Sequence, residues 1–272
     1  MPFYFLDAMV QKPGASPAHR WYSFHVAGRC FALAMRVVPR RLRFGAALLL
    51  ARAAAPLVRR TQAYGEQRKS NVDGVGEIAL HFVLNNLTKH GTTFDPVIAV
   101  EGFEALEHAL AKGRGVLLIT PHTVLSILAY RFIYDAGLDP VGIAVDAEMR
   151  VSGTRVTTEM LRPSPTFLVE VRSKLRGGRL VCAMVDRAEH QEGRTIEFDT
   201  AGGRVIVSTA LMRVAARCGA EVVFYEAHFD GRGVVANFAA PAPESMGSAD
   251  AVTRDFAEFV RAHVEARSAN HN

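Results

Sequence analysis

Three short, mainly apolar runs constrain this chain most: Val116–Thr120, Leu180–Val185 and Val222–His228. A strand with one wet face alternates apolar and polar residues. A strand whose residues are apolar on both sides must be covered on both faces, as in parallel sheets. Helical spacing fills the stretches between the runs. Such β–α alternation predicts an α/β fold with a mostly parallel central sheet and helices on both faces. With 272 residues, 49% of them hydrophobic, the chain is large enough to close such a core.

The remaining elements are read around these runs. Val75, Ile78, Ala79, Phe82 and Val83 place a helix over 74–90. A strand is expected at Val97–Val100, and a short helix on Phe103, Leu106 and Leu110 with Gly113 as its stop. A helix over 123–135 ends at Gly137, and a strand follows at Val141–Val145. Thr154–Leu161 is expected to be helical, Thr166–Val171 a strand, and Ser173–Arg176 a helical turn. Two short strands flank Ala201-Gly202-Gly203, and a helix over Ser208–Cys218 stops at Gly219 with Ser208 as cap. Asp230-Gly231 turns a hairpin between Val222–His228 and Val234–Phe238. Asp250–Ala266 is the closing helix.

The net charge of +5 hides an asymmetry. Residues 1–70 hold 12 Lys and Arg against 2 acidic residues, whereas 71–272 hold 20 against 25. We therefore expect a basic helical segment over 1–70 and an α/β domain over 71–272. Arginines alternate with leucines and alanines from 20 to 63, which predicts two or three helices broken at Pro39 and Pro56. Such helices suit an anionic membrane surface. They equally suit packing on the domain with the arginines in water. Nucleic acid is not expected as a partner, because the aromatic residues are not interleaved with the basic ones in the manner of stacking platforms.

Cys30, Cys182 and Cys218 are odd in number, far apart and without metal-ligand spacing. They fit reduced thiols in the cytoplasm. No basic and apolar leader is expected at the start, and no run of about 18 apolar residues marks a bilayer span. Gly74-Val75-Gly76 is too short for a nucleotide fingerprint. No metal site and no Gly-x-Ser-x-Gly elbow is present. No cofactor is expected.

Two polar residues close buried strands: His122, after Gly115–Pro121, and Asp186, after Leu180–Val185. Open α/β sheets keep ligand crevices at such strand ends. A histidine there can act as a general base on a hydroxyl or amine, best with a carboxylate on its second ring nitrogen. The residues after His122 supply none, since Ser126 and Ile127 stand at the fourth and fifth positions. Asp186 is the expected partner if its strand lies beside that of His122, with Asp146 and Glu148 in reserve. Arg187 and Arg194 suit binding of a carboxylate or phosphate, and Ser126 is a further substrate-binding candidate. His190 reads as a surface residue. The alternative for His122 is a strand-end histidine bonded to backbone.

The stretch Glu101–His122 resembles the block leading into the active site of the late lipid A acyltransferases. These are the lauroyl and myristoyl type within the lysophospholipid acyltransferase superfamily. Val181–Asp186 resembles the family's second strand-end block, and Thr195–Phe198 and Ser208–Phe224 resemble its later segment. The resemblance implies an acyltransferase that moves an acyl group from an acyl-carrier protein or acyl-coenzyme A thioester to a hydroxyl or amine. His122 would be its general base. It also implies peripheral contact with the inner face of the cytoplasmic membrane. The family carries Asp or Glu after its histidine and four intervening residues, where this chain has Ile127. It also differs at the start, with no clear anchor, and at the end, where the family's tryptophan is missing; the only tryptophan is Trp21. The alternative is a homologue that binds an acyl chain or partner without catalysis, or one that runs altered chemistry with Asp186 in a catalytic role.

Overall fold

The computed structural model describes residues 32–59, 75–95, 97–123, 125–143, 149–151, 154–156, 159–162, 164–186, 193–200, 203–230 and 232–269. Its centre is a seven-stranded sheet. The strands are β1 (Ile98–Glu101), β2 (Val116–Thr120), β3 (Val141–Ile143), β6 (Met160–Leu161), β7 (Leu180–Met184), β10 (Glu221–Phe229) and β11 (Val234–Ala239). Their order is β1-β11-β10-β2-β7-β3-β6. Every pairing is parallel except the β10–β11 hairpin. The expected α/β class therefore holds. Two small antiparallel pairs stand apart: β4 (Met149–Val151) with β5 (Thr154–Val156), and β8 (Thr195–Thr200) with β9 (Gly203–Ser208).

The helices are α1 (Arg40–Arg59), α2 (Val75–Lys89), α3 (Glu104–Ala111), α4 (Ser126–Asp135), α5 (Phe167–Arg176), α6 (Ala210–Cys218) and α7 (Ala249–Ala269). They cover both sheet faces. Leu118, Cys182, Val223 and Tyr225 face a core built with Phe44 and Ala47 of α1, Leu80 of α2 and Leu106 of α3. Leu117, Ile119, Val181 and Phe224 face the opposite core, built with Val171 and Leu175 of α5, Met212 of α6 and Phe256 and Val260 of α7. Successive strand residues thus enter alternate cores, which is why the central runs are apolar throughout. Gly115 is required at the foot of β2, because a Cβ there would run into the Leu175 carbonyl oxygen.

Several boundaries differ from expectation. Thr154–Leu161 is not a helix: Thr154–Val156 and Met160–Leu161 are strands. Thr154 and Val156 are β-branched and pack poorly in helices. Thr166–Arg176 is not a strand and turn but leads into the single helix α5. The buried pair Val171 and Leu175 lies four residues apart while Leu168 and Val169 are exposed, a helical period that a β-branched window masked. Pro56 does not break α1, which runs through it. It sits in the last described turn, where one lost backbone bond is tolerated. The helix expected from 123 begins at Ser126, and that from 208 begins at Ala210. A helical stretch at 32–37 ends before Pro39 as expected. Arg43 ties this region down by donating to the carbonyls of Arg36, Val38 and Thr93. No helix among the described residues is long and apolar enough to cross a membrane.

Candidate active site

The site is built by two neighbouring strands. β2 and β7 are parallel, with Thr120 opposite Met184. The ladder runs one residue further, as the Val185 N–H donates to the Thr120 carbonyl at 3.2 Å. One residue beyond, His122 and Asp186 stand side by side. Alternation places both on the face of Leu118 and Cys182. Pro121 has no N–H for a ladder bond, and the chain turns at His122, with the Thr123 N–H donating to the Pro121 carbonyl at 2.8 Å.

Asp186 Oδ1 takes two hydrogen bonds from His122: the backbone N–H at 2.7 Å and the ring Nδ1 at 2.5 Å. The Asp186 side chain is 1% exposed and the His122 side chain 24%. An ionised carboxylate accepts only, so a neutral ring in this contact places its proton on Nδ1 and its lone pair on Nε2. Fixing a histidine by its Nδ1 on a buried carboxylate sets its tautomer and stabilises the imidazolium. A partly exposed ring so held can take a proton from a bound hydroxyl or amine. The expected pairing of His122 with Asp186 is thus present in the geometry.

Ser126, expected as a substrate-binding residue, is fully buried. Its Oγ lies 2.6 Å from Thr123 Oγ1 and 3.0 Å from the Pro121 carbonyl oxygen. Arg194 is exposed in the turn before β8, and its carbonyl accepts from Thr209. None of the hydrogen bonds described for it reaches the His122–Asp186 pair. Arg187, Asp146, Glu148, His190 and Cys30 lie outside the described residues. Cys182 is buried and Cys218 partly so, and neither is joined in a disulfide. Among the described residues no group of histidines, cysteines and carboxylates is arranged for a metal ion.

One cluster escaped the sequence reading. Glu226 is buried on β10, and its Oε1 accepts from Asn237 Nδ2 and from His228 Nδ1, each at 2.7 Å. His263 of α7 brings its Nε2 to 4.0 Å. Glu226 sits in an otherwise apolar strand, and Asn237 is its cross-strand partner. A buried carboxylate in an apolar run was the available signal; the partners on β11 and α7 were not legible without the fold.

No family model matches this chain, and no curated protein matches it. Among solved structures it is similar to the crystal structure of the 1-acyl-sn-glycerophosphate (LPA) acyltransferase PlsC from Thermotoga maritima. The identity is 16%, the TM-score 0.44, and the match covers 90% of this chain and 96% of that one.

Proposed function

We propose that this protein is an acyltransferase that uses His122 as general base and Asp186 as the carboxylate that orients it. The observation that carries the reading is the double contact of His122 with Asp186 Oδ1 at the strand ends. In the reaction, Nε2 accepts the proton of an acceptor hydroxyl or amine as its oxygen or nitrogen attacks the thioester carbonyl. Collapse of the tetrahedral adduct breaks the carbon–sulfur bond, and the imidazolium returns the proton to the thiolate. The donor is acyl-coenzyme A or an acyl-carrier protein. The non-catalytic alternative rests on Ile127, which stands where the resembling family carries its carboxylate. Asp186 supports catalysis by delivering that carboxylate from the neighbouring strand.

The basic N-terminal region is proposed to meet anionic lipid at the inner face of the cytoplasmic membrane. Leu33, Val37, Leu42 and Leu49 are exposed there among Arg36, Arg40, Arg41 and Arg52. Apolar side chains between arginines favour the headgroup boundary of an anionic bilayer. The test of the reaction is thiol release from acyl-coenzyme A and acyl-carrier thioesters, with and without hydroxyl and amine acceptors. Release that requires His122 is the expected result. Equal release by His122→Ala, or none with any donor, rejects the reading.

A further inference from the structure

We propose that Ser126 and Thr123 are positioning residues, which hold the His122 turn in register with Asp186 through a buried chain of hydroxyls. Thr120, Thr123 and Ser126 are all buried around Pro121 and His122. Thr123 Oγ1 lies 3.2 Å from the Ala227 carbonyl oxygen on β10. Ser126 Oγ lies 2.6 Å from Thr123 Oγ1, and Thr120 Oγ1 lies 3.2 Å from the Pro121 carbonyl oxygen. With Thr123 donating to Ala227, Ser126 donates to Thr123 and Thr120 to Pro121. Every hydroxyl proton then has an acceptor, as buried hydroxyls require.

The chain solves a mechanical problem. Past Ile119 the described β10–β2 pairing ends, and Pro121 offers no N–H to continue it. On that flank the turn is held instead by side chains, from α4 through Thr123 to β10. On the other flank it is held by Asp186 of β7. His122 therefore hangs between two ties. Loss of the β10 tie leaves the backbone N–H and Nδ1 free to drift off the single oxygen they share. None of the three hydroxyls is placed to touch substrate, so each acts through His122.

The kinetic readout rests on the acyl-transfer reading, whereas the ring state of His122 does not. Ser126→Ala, Thr123→Val and Thr123→Ser are compared with the wild-type chain. Ring ¹⁵N shifts of His122, assigned with His122→Ala, report which nitrogen carries the proton. The expected result is a single Nδ1-protonated form in the wild type and in Thr123→Ser, and a mixture with the Nε2-protonated form in Ser126→Ala and Thr123→Val. Thiol release then falls about tenfold in kcat with KM within about twofold in the two hydroxyl-free variants, a loss specific to the chemical step. Thr123→Val removes the hydroxyl at constant shape, so it decides the matter if Ser126→Ala does not fold. An unchanged Nδ1-protonated ring in a folded hydroxyl-free variant overturns the proposal. If no variant and no wild-type sample releases thiol, acyl transfer fails while the ring state still decides the positioning role.

Discussion

A single oxygen, Oδ1 of Asp186, receives both the backbone N–H and the ring Nδ1 of His122. One contact fixes where the residue begins and the other fixes which way its ring turns. Asn at position 186 can keep an oxygen near the backbone N–H but no longer balances an imidazolium. Asp186→Asn is expected to lower kcat by about 10²–10⁴-fold with the fold retained. Circular dichroism and steady-state thiol release check this together, and near-full activity in the variant removes Asp186 from the mechanism.

Glu221 opens β10 with its side chain 6% exposed, and both Lys112 and Arg114 reach its two oxygens. The two cations are half exposed, so each pair by itself contributes little. Removal of the carboxylate instead leaves two tethered cations at the foot of the sheet. Glu221→Ala is expected to cost about 1–2 kcal/mol, read as a lower urea midpoint at unchanged slope.

Glu226 is the more costly buried carboxylate to lose. Its Oε1 serves Asn237 and His228 together, within a cluster closed by α7. Glu226→Ala leaves those donors buried without their acceptor and is expected to cost about 3 kcal/mol or more. Thermal unfolding measures it. A loss comparable to an ordinary surface substitution shows that the cluster is not a structural tie.

Tyr225 sets an alkaline limit. Burial, with Glu226 and Cys182 adding to it, pushes its phenol well above the ordinary tyrosine range. The folded state thus holds the proton that the unfolded chain releases near pH 10. Stability is fully present below that pH and falls as pH rises through it, because only the unfolded state gains from ionisation. The Tyr225 hydroxyl has no hydrogen-bond partner among the described residues. Tyr225→Phe is therefore expected to leave stability at pH 7 unchanged or slightly raised, and to flatten the decline above pH 10. Urea midpoints measured from pH 7 to 11 test both halves.

At Gly115 the chain of α5 passes so close to β2 that any Cβ meets the Leu175 carbonyl. Gly115→Ala is expected to cost about 1–3 kcal/mol by overpacking. It also displaces the strand that carries His122, so thiol release falls with stability. Differential scanning calorimetry and activity on one sample check the pair.

Much of the architecture was legible in the chain. Val116–Thr120 was delimited as a strand from its residues alone, because an unbroken apolar run with β-branched ends has few other homes. Asp230 as a turn former was equally legible, and its Oδ1 accepts from the N–H groups of Arg232 and Gly233. Local windows misled where two periods overlap. Phe167–Arg176 carries enough β-branched residues to imitate a strand, and only the burial of Val171 and Leu175 against the sheet decides for a helix.

The order of residues along the chain determined that His122 and Asp186 each close a buried strand, because apolar run and polar stop are local facts. It determined as well that no carboxylate stands at the fourth or fifth position after His122, where Ser126 and Ile127 are. Tertiary structure decided the rest. Strand order and register are set by which faces pack on which helices, and 64 residues separate the two partners. Only the placement of β7 beside β2, in parallel and with Thr120 opposite Met184, brings the Asp186 oxygen to the histidine. Side-chain chemistry is written residue by residue, whereas the distance between two side chains belongs to the sheet.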